Sequence, residues 1–312
     1  MRKIVMLISV ITMSVISFLL SADCALAIDK KFDYRIKQKV EKAIESLENK
    51  KGNVQRIAKN DLINWGADSV EPLIAIVKDW KNQPANLRIV CVDILGRIRD
   101  KKAVPVIVDA LNEKKMTMRY TAARALGYIA DKKAVGPLIK QLADKEWQVR
   151  FYAAEALGKI GDKSAAKPLA NLLLSDPSET VRLTAIEALD KLDAKTESRA
   201  VLEAFSDKAP KIRCYAIELS SSWMVKEAVG PISSMLKTDR SNKVRASCAY
   251  ALGAYDDYTA IPALIGALSD DYKDVRIYAQ ESLEKMSGQS YGGDKEKWNY
   301  WLELNKDKAG QL

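Results

Sequence analysis

The chain has 312 residues, 50 Lys and Arg against 41 Asp and Glu, a formal charge of +9 and no histidine. Hydrophobic residues make up 48% and charged residues 29%, the balance of a folded chain rather than a disordered one. The missing histidine removes the commonest general base near neutral pH, the commonest metal ligand and every Ser-His or Cys-His nucleophile pair.

The first element in chain order reads as an address. Arg2 and Lys3 precede an uncharged run from Ile4 to Leu20, and the small-x-small site Ala25-Leu26-Ala27 follows. That order predicts a signal peptide over residues 1–27, cleaved after Ala27, and an exported chain, periplasmic or secreted. The competing reading is an uncleaved anchor, but its apolar run sits at the lower limit for spanning and lacks a basic stop-transfer flank. Asp23 before Cys24 departs from the small residue that a lipid-attachment signal needs. Cleavage leaves a charge of +8 and three cysteines, Cys91, Cys214 and Cys248. An odd number argues against a disulfide framework. With the signal removed, no integral membrane protein is expected.

Residues 28–53 predict a capping helix, with Ile36, Val40, Ala43, Ile44 and Leu47 along one side. From 54 to 289 the sequence repeats. Its arginines fall at Arg88, Arg119, Arg150, Arg182, Arg213, Arg245 and Arg276, always 31 or 32 residues apart. A degenerate earlier copy runs through Arg56. Counting each arginine as zero, apolar residues at −1, +3, +6, +7 and +10 share one side of a helix. Gly or Asp then breaks that helix. Asp at +12 is placed to accept from the free amides of a second helix, whose start carries Pro105, Pro137, Pro168, Pro231 or Pro262. Gly at +8 (Gly96, Gly127, Gly158, Gly253) permits close approach between helices. One hairpin has too little apolar face to fold alone, so the fold class predicted is all-α, an α-solenoid of stacked two-helix repeats. It has about seven clear copies and one degenerate copy between capping helices.

The stretch Val149-Arg150-Phe-Tyr-Ala-Ala-Glu-Ala-Leu-Gly-Lys-Ile-Gly-Asp162 and its copies resemble the HEAT repeat family, in particular the short bacterial type named for phycobilin lyases. The resemblance implies the solenoid and, for function, a binding role of some kind. It also supports a second series: Asn82, Glu113, Asp144, Asp176, Asp207, Asp239 and Asp270 each stand six residues before an arginine. Carboxylate and arginine at fixed phase suggest a ladder linking neighbouring repeats, rather than an acid–base site. Residues 290–312 predict a C-terminal cap, with Trp298, Trp301 and Leu302 on a helix after Gly292-Gly293-Asp294.

Motifs that carry chemistry are poor. Gly288-Gln289-Ser290-Tyr291-Gly292 matches G-x-S-x-G but joins two helices in a chain without histidine. Ser164-Ala165-Ala166-Lys167 matches S-x-x-K without its companion motifs. There is no C-x-x-C and no calcium-loop spacing, so no metal and no cofactor are expected. The HEAT arrays that are iron enzymes, the deoxyhypusine hydroxylases, need His-Glu ligand pairs that this chain lacks. Cys91 and Cys248 occupy the small +3 slot that is alanine elsewhere, which reads as buried, inert thiols.

Three features are candidate partner-binding surfaces. The positive excess lies before residue 141, and Lys101, Lys102, Lys132, Lys133 and Lys163 recur on one inter-helix edge, a field that would favour an anionic partner, although a merely solvated lysine-rich face is the stronger of the two readings. A row at +1 includes Tyr120 and Phe151; contact between adjacent repeats explains it equally well. In the fifth copy, Trp223 and Met224 break the pattern with residue types that interfaces favour. The function expected is an exported, non-enzymatic scaffold or adaptor that binds a protein partner along the solenoid surface. A lyase-like or other modifying enzyme, and a basic surface docking on an anionic envelope component, are the competing readings. The export signal disfavours nucleic acid.

Overall fold

The computed structural model describes residues 35–49 and 51–305, so the expected signal peptide lies outside the described residues. Every regular element among them is helical. They form two compact units that divide between Ile129 and Ala130.

The first unit holds α1 (35–46), α2 (Gly52–Trp65), α3 (Ala67–Lys78), α4 (Ala85–Ile98), α5 (Val104–Ala110) and α6 (Met116–Ile129). In the second, α7 (Val135–Gln141), α8 (Trp147–Ile160), α9 (Ala166–Ser175), α10 (Glu179–Lys191), α11 (Ser198–Glu203) and α12 (Pro210–Ser222) come first. They are followed by α13 (Val229–Thr238), α14 (Asn242–Tyr255), α15 (Ile261–Ala267), α16 (Lys273–Ser287) and α17 (Lys295–Leu304). No helix among the described residues is long and apolar enough to cross a membrane.

The long helices that carry the repeat arginines pack on one another, α4 on α6 in the first unit and α8, α10, α12, α14 and α16 in succession in the second. Their +3 residues (Cys91, Ala122, Ala153, Ala185, Ala216, Cys248 and Ala279) are all fully buried, as are the +7 leucines. Burial pushes the Cys91 thiol up to about 12 and the Cys248 thiol up as well, and all three described cysteines are free. That is the inert-thiol reading of the sequence.

The long helices α4, α8, α10, α12 and α14 each end on a left-handed residue eleven after the arginine, and α16 on one twelve after it, Gly288 (φ 70°). Arg99 (φ 64°), Gly161 (φ 75°), Asp193 (φ 46°), Met224 (φ 56°) and Asp256 (φ 53°) reverse the chain there. The aspartate at +12 does not cap the second helix directly, as the spacing suggests. It caps a three-residue 3₁₀ turn that leads into it: Asp100 accepts from the Lys102 N–H at 2.8 Å, Asp131 from Lys133 at 2.9 Å and Asp162 from Ser164 at 3.0 Å. The extra turn lets the chain swing across the hairpin before the proline-bearing helix starts.

Glycine at +8 is a packing requirement. A Cβ on Gly96 would sit 2.6 Å from the Cα of Ala125 on α6, and one on Gly158 would sit 3.1 Å from Ala188 on α10, whereas Gly136 on α7 has nothing within 4 Å. Alanine gains about 1 kcal/mol over glycine in a helix interior, so the three sites separate propensity from packing. Urea unfolding should find Gly136→Ala stabilising by about 0.5–1 kcal/mol. Gly96→Ala should be destabilising by about 1–3 kcal/mol, because backbone, not a side-chain end, meets the new methyl. Equal effects at the two sites would refute the close approach.

The carboxylate–arginine ladder is present in both units. In the first, Arg88 reaches Glu113 and donates from Nε to the Val77 carbonyl at 3.0 Å. In the second, Arg150 meets Asp176, Arg182 meets Asp207, Arg213 meets Asp239 and Arg245 meets Asp270, each through Nε and Nη2 at 2.5–2.9 Å. The third nitrogen, Nη1, turns back to carbonyls of the loop before its own helix, as Arg182 does to Asp176 at 3.0 Å. Each aspartate also accepts the backbone N–H two residues on, as Asp207 does from Ala209 at 2.7 Å. One side-chain pair thus locks a loop and joins two repeats.

Burial alone pushes the carboxyls of Asp207 and Asp239 up, but hydrogen bonds from Arg182 and Arg213 and from the backbone outweigh it. At Asp270 the Arg245 hydrogen bond dominates. All three are held below the usual carboxylate range. Their stabilisation is therefore present above the unfolded Asp value, about 3.9, and lost as pH falls through the lower folded values. With no histidine to titrate, urea-unfolding free energy should stay nearly flat from about pH 5 to 8 and drop below about pH 4. A step near pH 6 would contradict this account.

Candidate partner-binding surface

The five lysines each stand in a 3₁₀ turn of their own unit. Lys101 and Lys102 open the turn before α5 in the first unit, Lys132 and Lys133 open the one before α7 in the second, and Lys163 opens the one before α9. All five are exposed. In the second unit Lys195 and Lys226 open the corresponding turns and are exposed too. They escape a reading that follows the Asp-Lys pair, because Ala194 and Val225 replace its aspartate; counting thirteen from Arg182 and Arg213 finds them.

Carboxylates accompany several of these lysines. Lys132 lies 3.7 Å from Asp162 with its side chain 78% exposed, and Lys195 lies 3.8 Å from Asp193. Such long, solvated pairs contribute little and leave the ammonium groups accessible.

In the second unit most second helices lack carboxylates. The second helices α7, α9 and α13 carry Lys140, Lys167 and Lys237 without one carboxylate, α15 carries no charge, and only α11 adds an acid, Glu203, beside Arg199. The arginine-bearing helices carry carboxylates as well, Glu155, Glu179, Glu187, Asp190, Glu218, Asp274, Glu281 and Glu284, but these are outnumbered by their own Lys and Arg. The slightly negative total after residue 141 therefore arises in the loops and turns, and both sets of helices carry a positive excess.

The remaining sequence candidates fare differently. Tyr120 on α6 and Phe151 on α8 are half-buried, and Phe151 stacks edge-on against Tyr152 with ring centres 5.0 Å apart. Along the same +1 row Leu183 and Cys214 are half-buried and Ala246 is buried; only Ile277, on α16 where the array ends, reaches 38% exposure. That gradient fits contact between successive repeats.

Trp223 is a correction. It is buried, 8% exposed, because it falls at +10, one of the five core positions of the repeat. Its bulk accompanies the loss of leucine at +7: Ser220 stands there, bonded to the Ile217 carbonyl and met by the Tyr255 hydroxyl at 3.3 Å. Met224 is 53% exposed, as the left-handed residue that ends α12. Among the described residues no group of three or more Cys, Asp or Glu is placed to hold a metal ion.

A family model of HEAT repeats matches residues 70–138, 113–190, 135–213 and 198–284. The chain belongs to the HEAT repeat family. No curated protein sequence matches this HEAT repeat chain. Among solved structures, Escherichia coli YibA is 21% identical, with 84% of this chain and 97% of that one covered and a TM-score of 0.58. Yeast importin-β, Kap95p, is 15% identical with a TM-score of 0.58, covering 86% of this chain and 42% of that longer one. The CpcE and CpcF complex of phycocyanin lyase from Nostoc is 23% identical over 48% of this chain and 96% of that one, with a TM-score of 0.44. At such identities the first two likenesses show the fold.

Proposed function

We propose that this HEAT repeat chain is an exported, non-enzymatic scaffold that binds a protein partner through its turn lysines and second-helix layer. The observation that carries the reading is that in the second unit Lys140, Lys167 and Lys237 stand on helices free of carboxylates, beside turns that open on Lys132, Lys163, Lys195 and Lys226. Complementarity then favours an acidic partner. Export rests on the N-terminal pattern from Arg2 to Ala27. The non-enzymatic reading rests on the missing histidine and on the absence of a nucleophile with its base in the sequence motifs.

The test is co-purification from the cell envelope at two salt concentrations, with identification of what comes along. The partner should dissociate at the higher salt and fail to bind when Lys101, Lys102, Lys132, Lys133 and Lys163 are all changed to Glu. Retention by that charge-reversed chain would remove the lysine edge from the account. Turnover of an envelope substrate by the purified protein alone would overturn the scaffold reading.

A further inference from the structure

The first ladder arginine is bonded differently from the rest. Arg119, Arg150, Arg182, Arg213, Arg245 and Arg276 all donate from Nη1 to the carbonyl six residues before them, at 2.6–3.0 Å. The residue six before Arg88 is Asn82, in a loop closed on itself: Asp79 accepts from the backbone N–H of Asn82 at 3.3 Å and from its side chain at 2.9 Å. Arg88 instead sends Nε to the Val77 carbonyl and Nη2 to Glu113, and among the described residues nothing accepts from its Nη1.

The same loop turns a tryptophan outward. Eight residues before the arginine, Leu111, Leu142, Phe205 and Leu268 are buried in four later copies, whereas Trp80 is 64% exposed. The Lys81 ammonium lies 5.5 Å from the centre of its ring.

Trp80 and Arg88 line one groove of about 680 Å³ in the first unit, a volume within the range of ligand-binding clefts. Val77 of α3 and Val106 and Ala110 of α5, all buried, supply its apolar lining. The charged lining is Lys78, Lys114, Asp109 and Glu113 besides Arg88. Glu113 is already taken up by Arg88, which leaves two ammonium groups against one carboxylate, Asp109, to face a ligand. Arg88 is 6% exposed and fixed by two bonds. Its guanidinium is largely out of water, so an N–H group without an acceptor is costly. A carboxylate entering the groove would gain a charge-assisted hydrogen bond there without freezing a flexible side chain.

We propose, on the reading of the chain as a scaffold for an acidic partner, that this groove takes an acidic peptide segment of that partner. A Glu or Asp carboxylate of the segment meets Nη1 of Arg88, and the apolar side chain next to it packs against Val106 and Trp80. Trp and Arg are residue types that anchor protein interfaces, and Lys78 and Lys114 complement the charge of the segment. The turn lysines are not part of this site.

The probe is acetyl-Glu-Phe-Glu-amide, titrated into the purified chain by calorimetry beside acetyl-Gln-Phe-Gln-amide. The acidic peptide should bind saturably and about tenfold tighter than its glutamine counterpart, as expected for a charge-assisted hydrogen bond. Trp80→Ala and Lys114→Glu, both at exposed positions, should each weaken it about tenfold, and Lys101→Gln with Lys102→Gln should leave it unchanged. Arg88→Lys keeps the charge but has no Nη1 and should lose binding too; the two exposed variants carry the test if it folds poorly. No saturable binding of the acidic peptide, equal binding of the two peptides, or full binding by both Trp80→Ala and Lys114→Glu overturns the groove. Those outcomes leave the turn lysines standing, which the five-lysine charge reversal decides on its own, and retention of the partner by that variant leaves the groove standing.

Discussion

Asp207→Ala should lower the unfolding free energy by about 3–5 kcal/mol, the cost of stranding a buried charge. Its carboxylate takes Nε and Nη2 of Arg182 at 2.7 and 2.9 Å and the Ala209 N–H at 2.7 Å. Arg182 is only 4% exposed, so water cannot replace the lost partner. The exposed pair Arg199–Glu203 is the control. Arg199 keeps 92% of its side-chain exposure there, and Glu203→Gln should cost no more than about 0.5 kcal/mol. Replacing both ladder partners, Arg182→Met with Asp207→Leu, should recover much of the loss, because the desolvation penalty leaves with the charges. Urea unfolding followed by circular dichroism measures all three. Similar costs at the buried and exposed pairs would mean that the ladder does not hold the repeats together.

Trp298→Ala should cost about 3–5 kcal/mol as well, by a different route. Trp298 on α17 is fully buried, packs edge-on against Tyr291 and Trp301 with ring centres 4.9 and 6.5 Å apart, and donates from its indole nitrogen to the Gly292 carbonyl at 2.9 Å. Trp301 in turn stacks on Tyr258 of the turn before α15 at 6.0 Å. These rings seal the last repeat, whose apolar side would otherwise meet water. The variant should melt at lower temperature and aggregate faster than Tyr300→Ala, which removes a ring that is 68% exposed. Equal behaviour of the two would show that α17 is dispensable as a cap.

Much of this was legible before any coordinates. A repeat arginine fixes the phase of a 31- or 32-residue unit, and phase alone assigns the +3 and +7 positions to the core, the cysteines to small buried slots and the carboxylates to a ladder. Trp223 shows the same logic at work against a weaker one. Read by residue type it suggests an interface, whereas read by phase it belongs to the core, and phase prevails because burial follows geometry. Lys195 and Lys226 show the converse: the Asp-Lys motif passes over them, whereas the count of thirteen from the repeat arginine finds them.

The candidate sites were less legible because they depend on what faces what. Nothing along the chain marks out Trp80, Arg88, Val106 and Glu113 as the lining of one groove, since Glu113 lies 25 residues after Arg88. That α7, α9 and α13 carry lysine without a carboxylate likewise disappears in a running sum of charge.

By itself the sequence determined the fold class, the repeat phase, the two residue series of the ladder and the exclusion of histidine chemistry, because each follows from local periodicity or composition. Only the tertiary structure decided that Trp223 is core, that Gly96 is required by the backbone of α6 and that Arg88 and Trp80 meet at one groove. Those are properties of side chains brought together from separate helices, and the packing of helix on helix sets them rather than the order of residues along any one helix.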